Sequence, residues 1–333
     1  MKFKLIIHLF VALALTSACN NSKKTKEVKS ILPPELQALN DSILNDNKNA
    51  DLYHRRAMYY MEHKDIINAT DNMKVVLMLD STRAKYYVTI GDIYFVQNNT
   101  RATRDMLLRG LTKTGSKIEV NTKLAELYFY VKQYEDAIKF VNEALKEDVH
   151  YAKSYFLKGM IYKESGDTTK AVSSFVTATE QDPQYYNAYM QLGIIYALKN
   201  DPICLQYYNN AIRISPKSEE IHYNIGMFYM ENKKYNQAIE RFTLLAKINP
   251  RNREAFFNLG YMHLNFLNVK QEALKNFTDA INVDTNFEKA YYMRGYTFEL
   301  MGDIAAAKRD YEKALQLFPD YEMAQKGINR VAK

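Results

Sequence analysis

The 333-residue sequence contains no tryptophan and only two cysteines, Cys19 and Cys204. Two cysteines cannot form the disulfide framework that holds many small secreted domains together. The sequence also has no glycine-rich phosphate loop, no nucleophile elbow and no pair of histidines at metalloprotease spacing. It therefore predicts no enzymatic activity, no cofactor and no metal site. With 47% hydrophobic and 25% charged residues, the composition is that of a globular protein.

The longest apolar run, residues 5–18, has 14 residues, whereas a membrane-spanning helix needs about 20. Two lysines precede the run and two small residues end it, which is the order of a secretory signal peptide. Because Cys19 follows directly, the segment resembles a bacterial lipoprotein signal, in which this cysteine is acylated and becomes the mature N-terminus. Thr16 departs from that pattern, since leucine is usual there. The alternative is an ordinary secretory signal with an incidental cysteine.

This resemblance sets the expected location and domain organisation. Residues 1–18 are expected to be a lipoprotein signal peptide, and residues 19–33, which lack apolar periodicity, a flexible tether. Lipidation at Cys19 would attach the protein to a membrane of the bacterial cell envelope, which we expect to be the outer membrane on its periplasmic side. The net charge of +7 is a mild excess for this length, and an exported protein rarely meets nucleic acid, so no nucleic-acid partner is expected.

A period of about 34 residues runs through most of the chain. Its clearest marker is a small residue, followed three residues later by an aromatic residue in seven of eight cases. The small residues are Ala57, Gly91, Ala125, Gly159, Gly193, Gly226, Gly260 and Gly295. A second small residue recurs further along each unit, and Cys204 takes that place in the fifth, which predicts a buried and unreactive thiol.

These features resemble the tetratricopeptide repeat, a 34-residue pair of antiparallel helices. The resemblance implies an all-α, right-handed superhelical solenoid of about eight repeats over residues 50–321, because single pairs cannot bury their apolar faces. An amphipathic capping helix is predicted at residues 34–49, with Leu36, Leu39, Ile43 and Leu44 as its apolar residues, and a C-terminal capping helix at residues 322–333.

In this repeat family the first helices line a concave groove that binds peptides or partner proteins. In repeats four to eight, two apolar residues four apart share the inward face of each first helix. The predicted groove residues are Phe156, Met160, Met190, Ile194, Tyr223, Met227, Phe257, Tyr261, Tyr292 and Tyr296, with Asn224 and Asn258 beside them to bond an extended peptide. We expect Tyr223, Phe257, Tyr261 and Tyr292 to be surface-accessible. The alternative is that the stripe only packs against neighbouring helices.

The sequence thus favours a non-enzymatic scaffold or adaptor that binds an envelope protein or an extended peptide, with no small-molecule substrate. One alternative is a nutrient- or glycan-binding outer-membrane lipoprotein built on the same repeats, although sugar platforms favour tryptophan and the repeats leave no room for an inserted sugar site. A second alternative is a cytosolic chaperone cofactor, which requires that the N-terminal segment is retained.

Overall fold

The computed structural model describes residues 32–332, which form eighteen α-helices and no strand. The all-α prediction is confirmed, and the helices pack in adjacent antiparallel pairs. The helices are α1 (Pro34–Asn45), α2 (Ala50–Glu62), α3 (Ile66–Leu79), α4 (Ala84–Val96), α5 (Thr100–Lys113), α6 (Ile118–Tyr130), α7 (Tyr134–Glu147), α8 (Ala152–Glu164), α9 (Thr168–Gln181), α10 (Tyr186–Leu198), α11 (Cys204–Ile214), α12 (Glu219–Glu231), α13 (Tyr235–Ile248), α14 (Arg253–Asn265), α15 (Lys270–Val283), α16 (Glu288–Met301), α17 (Ile304–Leu317) and α18 (Glu322–Val331).

Polar side chains fix where many of these helices begin. Seven helices start with a residue whose side chain accepts a hydrogen bond from a backbone N–H of the first turn. Asp65, for example, accepts from the amide of Asn68 at 3.1 Å, and Asp167 accepts from the amide of Lys170 at 3.0 Å. Each such cap stabilises a helix by about 1 kcal/mol, so the polar turns between helices help to set the period.

Each repeat is held together by a large second-helix side chain that lies against the small residue of the first helix. In repeats four to eight that side chain is aromatic and the small residue is glycine. The rings are those of Phe175, Tyr208, Phe242, Phe277 and Tyr311, all at most 1% exposed. A Cβ on Gly193 would lie 2.4 Å from Cε1 of Tyr208, so the glycine is required by close contact. Without the methyl group, the two helices can approach closely around the ring.

The fifth repeat differs from the others in its second helix. Helix α11 has 11 residues, whereas the second helices of the other repeats have 14. Cys204 is its first residue and is fully buried, as predicted. Burial raises the pKa of the Cys204 thiol to about 11. Because the thiolate is the reactive form, a thiol with this pKa is an unreactive packing residue.

Helices α1 and α18 cover the two ends of the stack. Leu36, Leu39 and Ile43 are buried in α1, but Leu44 is 80% exposed, so the prediction that Leu44 belongs to its apolar face is wrong. Leu44 follows Ile43 by one residue and is therefore turned about 100° away from it on the helix. The predicted signal peptide, Cys19 and the tether up to residue 31 lie outside the described residues. Among residues 32–332, no helix is long and apolar enough to span a membrane.

Candidate functional site

The first helices of the repeats form the inner layer of the stack. First helices of consecutive repeats approach each other, as α4 and α6, α6 and α8, and α10 and α12 do. No two second helices within residues 32–332 come comparably close. In a curved stack the layer whose members lie closer together is the inner one. The predicted groove residues therefore lie on the helices that line the concave side.

None of the twelve predicted groove residues is fully exposed. Met190, Asn258 and Tyr292 are buried, with 3%, 8% and 7% of their surface exposed. The half-buried residues are Phe156, Met160, Ile194, Tyr223, Asn224, Met227, Phe257, Tyr261 and Tyr296.

The first residue of each apolar pair belongs largely to the core. The ring of Phe257 lies 5.8 Å from that of Phe277 in its own repeat and 5.2 Å from that of Phe287 before the next repeat. The ring of Tyr292 lies 5.8 Å from that of Tyr311, and burial raises the pKa of its phenol. The expectation that Tyr292 is surface-accessible is therefore wrong, because its neighbours cover the ring.

Asn258 is also less available for hydrogen bonding to a peptide than the sequence suggested. Its Nδ2 donates to the carbonyl oxygen of Glu254, 2.9 Å away, within the same helix. The donor of this buried side chain is therefore already satisfied inside the protein. Asn224, at the same place in the preceding repeat, is half-buried and makes no such bond.

An open cavity of about 350 Å³ lies between α10 and α12, at the centre of the predicted groove. Ligand pockets in proteins typically measure about 300–1,000 Å³, so this cavity has room for one or two side chains of a partner. Its lining includes three predicted groove residues together with buried core rings. The lining residues are Ile194, Ala197, Leu198, Asn200, Tyr208, Asn224, Met227, Phe228 and Glu231.

Leu198 was not predicted, although it is the most exposed large apolar residue of this site. It is 84% exposed at the end of α10, four residues after Ile194. Val96 and Tyr130 occupy the same place in repeats two and three and are 58% and 60% exposed. The signal was present in the sequence, because each residue lies five positions after the small residue of its repeat and continues the inward stripe by one helical turn.

The N-terminal part of the concave side carries charges that pair with one another. Lys123 contacts Asp92 at 2.6 Å and Glu126 at 2.7 Å, and Lys153 contacts Glu126 at 2.8 Å. Burial opposes the charge on Glu126, but the hydrogen bonds from Lys123 and Lys153 prevail and lower its pKa. These carboxylates are thus already neutralised within the protein.

Two histidines that the sequence placed at packing positions contact protein groups within or directly before their own repeats. His222 is 2% exposed, and one of its ring nitrogens, Nε2, lies 3.0 Å from the carbonyl oxygen of Pro216. His263 contacts Asn276 between the two helices of its repeat, with 3.2 Å between Nδ1 and Nδ2. No group of three or more histidine, cysteine, aspartate or glutamate side chains within residues 32–332 has the geometry to hold a metal ion.

Comparison with known proteins identifies the repeat. Models of the tetratricopeptide repeat match residues 152–185, 207–240 and 288–321. The first and last of these segments contain the helix pairs α8–α9 and α16–α17. The C-terminal part of a TPR repeat-containing protein from Cytophaga hutchinsonii has a similar structure, with a TM-score of 0.63 and 18% identity, over 72% of this chain and 99% of that chain.

Two curated proteins are similar in sequence over part of their length. A DnaJ homolog subfamily C member 7 homolog from Dictyostelium discoideum is 26% identical over 223 residues, which are 64% of this chain and 37% of that protein. A UDP-N-acetylglucosamine–peptide N-acetylglucosaminyltransferase from Giardia intestinalis is 30% identical over 154 residues, 43% of this chain and 10% of that enzyme. The chain thus spans well under half of either relative. The chain therefore contains tetratricopeptide repeats at the three matched segments, within an all-α solenoid of helix pairs.

Proposed function

We propose that this protein is a non-enzymatic scaffold that holds an extended peptide or a partner protein in its concave groove. The observation that carries the proposal is the cavity between α10 and α12, whose rim is formed by the almost fully exposed Leu198. An exposed leucine beside an apolar cavity gains little in the free protein. It would be buried when a partner covers it, which is how interface residues contribute affinity.

The groove has two chemically different parts. Its N-terminal part presents the paired charges of Asp92, Lys123, Glu126 and Lys153, and the part around α10 and α12 presents apolar side chains and an open cavity. Internally paired charges contribute little to affinity but reject partners that would leave them unpaired. We therefore assign affinity to the cavity and orientation of the partner to the charged part.

The match to a glycosyltransferase does not make this chain an enzyme. It covers a tenth of that protein, and the match to the DnaJ homolog likewise covers a minority of its length. Because both matches cover only a small part of each relative, the scaffold proposal rests on the groove of this protein and not on the relatives.

The groove is tested with peptides selected from a random library on the full-length protein and measured by fluorescence anisotropy. Leu198→Ser should weaken binding by tenfold or more, as expected for a central anchor residue, and leave the melting temperature unchanged. The matched control is Met78→Ser, because Met78 is 76% exposed on the second helix α3, outside the groove. Equal affinities of the wild type and the Leu198→Ser variant would remove the cavity from the binding surface.

We also propose that the scaffold is attached by lipid at Cys19 to the bacterial envelope, at the periplasmic side of the outer membrane. The support is the sequence alone, namely the apolar run and the small residues before the cysteine. Cys19→Ser should move the protein from the membrane to the soluble fraction and abolish fatty-acid labelling. If the wild type carries no label and remains soluble, the anchor is refuted while the groove proposal stands.

A further inference from the structure

The cavity between α10 and α12 is lined by eight uncharged residues and one carboxylate, Glu231. Glu231 is the last residue of α12 and is exposed to solvent. Within residues 32–332 no lysine, arginine or histidine lies within 4.0 Å of its carboxylate oxygens. The cavity therefore carries one carboxylate that has no ion-pair partner in the described part of the protein.

Several other carboxylates on the first helices are paired with basic residues. Glu126 is paired with two lysines, Glu254 contacts Arg253 at 3.1 Å, and Glu299 accepts two hydrogen bonds from Arg330. Glu62 and Glu164, which end α2 and α8 at the same place in their repeats, also have no such partner within residues 32–332, but neither lines the cavity. What distinguishes Glu231 is therefore its position in the cavity wall.

The basic residues nearest to the cavity in sequence are Lys233 and Lys234 after α12 and Lys199 after α10. Lys233 and Lys234 are exposed, none of the three lines the cavity, and Lys199 lies over the ring of Tyr196, 5.9 Å from its centre.

The ends of two helices add to this charge. Helix α10 ends at Leu198 and α12 ends at Glu231, and both residues line the cavity. The C-terminus of a helix carries a partial negative charge because its last carbonyl groups have no partner within the helix. Two such ends and a carboxylate therefore surround one apolar space.

We propose that this cavity binds a lysine or arginine side chain of the partner peptide. The long apolar stem of such a residue packs along Ile194, Leu198 and Met227, and its charged head meets Glu231 and the two helix ends. Asn224 offers a further carbonyl oxygen at the wall of the cavity. An acidic side chain is excluded, because it would be desolvated next to a carboxylate of like charge. This inference rests on the proposed peptide-binding function and specifies its partner.

The test compares peptides selected from a random phage-displayed library on the full-length wild-type protein and on Glu231→Gln. Wild-type selections should be enriched in lysine or arginine at one position, and Glu231→Gln should still select peptides but without that enrichment. Glu231→Lys should select aspartate or glutamate there instead. Glu164→Gln is the matched control, because Glu164 also lies five residues after its repeat glycine and is exposed, yet does not line the cavity.

A selected peptide then gives the size of the effect. Replacing its basic residue with norleucine should weaken binding to the wild type about tenfold, and should have little effect on binding to Glu231→Gln. Because exposed charges are screened by salt, the wild-type affinity should also fall more steeply with ionic strength than that of the variant.

The outcomes separate this inference from the proposed function. If peptides bind, and Leu198→Ser weakens them, but no basic residue is enriched, the inference is wrong and the groove stands. If peptides selected on Glu231→Gln show the same enrichment in lysine or arginine, another part of the protein recognises the basic residue, and the inference is again wrong. If the wild-type protein retains no peptide at all, the proposed function fails together with it.

Discussion

Gly193 should not tolerate even one added methyl group, although alanine is the better helix former. A Cβ at this position would lie 2.4, 2.5 and 2.9 Å from three ring atoms of Tyr208. Tyr208 is 1% exposed, so its ring cannot swing into solvent. Overpacking of this kind costs about 1–3 kcal/mol, whereas alanine gains about 1 kcal/mol over glycine inside a helix. Gly193→Ala should therefore lower the free energy of unfolding by up to about 2 kcal/mol, near the upper end because the buried ring has no free space to move into.

Gly91 is the internal control, since it holds the same place in the second repeat. Its added Cβ would lie 3.1 Å from Cδ2 of Leu107, a flexible aliphatic side chain. The first and third repeats already have alanine there, opposite Met73 and Val141. Gly91→Ala should therefore change the free energy of unfolding by less than about 0.5 kcal/mol, because the gain in helix propensity offsets the tighter contact.

Both variants are measured by urea unfolding of the full chain followed by circular dichroism. The double variant Gly193→Ala with Tyr208→Leu reproduces the alanine–aliphatic pairing of the first and third repeats. Its loss in free energy of unfolding should be smaller than the sum of the losses of the two single variants, because the added methyl group no longer meets a ring. Equal unfolding midpoints for Gly193→Ala and Gly91→Ala would refute the claim that glycine is required by the ring.

Two further predictions concern a thiol and an ion pair. In the Cys19→Ser chain, Cys204 should react with a thiol reagent at pH 8 only after denaturant is added, because burial raises its pKa to about 11; rapid reaction of the native protein would contradict this. The hydrogen bond from Lys85, assisted by Tyr86 and by the charge of Arg83, lowers the pKa of Asp51 to about 2. A depressed carboxylate pKa stabilises the fold above about pH 4, the ordinary aspartate pKa, and this contribution is lost as the pH falls toward 2. The unfolding midpoint of Asp51→Asn should therefore fall less between pH 4 and pH 2 than that of the wild type.

The repeat architecture was predictable because its cause lies within each 34-residue unit. Gly159, Gly226 and the other small residues recur once in each unit, and in the structure they lie where the two helices of a pair touch. The apolar face of α1 was harder to predict, and Leu44 was assigned to it wrongly, because adjacent apolar residues on a short helix do not show which one faces the next helix. The buried face of α1 is determined by its packing against α2, where Tyr59 contacts Leu36 and Leu39.

The groove was only partly predictable, because contacts between repeats decide which side chains remain accessible. Helix periodicity places Phe156 and Tyr292 on the inward face, but their rings lie 5.2 and 5.4 Å from those of Tyr185 and Tyr321, which precede the next helices. Nothing in the spacing reveals that a residue at the start of the next repeat covers the face. Leu198 could have been found by extending the same stripe one turn, but its exposure depends on where α10 ends.

The same reasoning separates two aromatic residues of one helix, Phe257 and Tyr261. Phe257 lies between the rings of Phe277 and Phe287, so Phe257→Ala should empty a core site and cost about 3–5 kcal/mol. Tyr261 lies one turn further on, beside the partly exposed Phe266, with 5.9 Å between ring centres. Because Phe266 is 38% exposed, this ring contact lies nearer to solvent than those of Phe257. Tyr261→Ala should therefore lower the free energy of unfolding by less than about 1.5 kcal/mol while weakening the binding of a peptide. Urea unfolding of the two single variants measures the loss of stability, and fluorescence anisotropy measures their affinity for the peptide. If Phe257→Ala unfolds no more easily than Tyr261→Ala, the stripe is accessible at both positions and the division between core and groove drawn from the ring contacts is wrong.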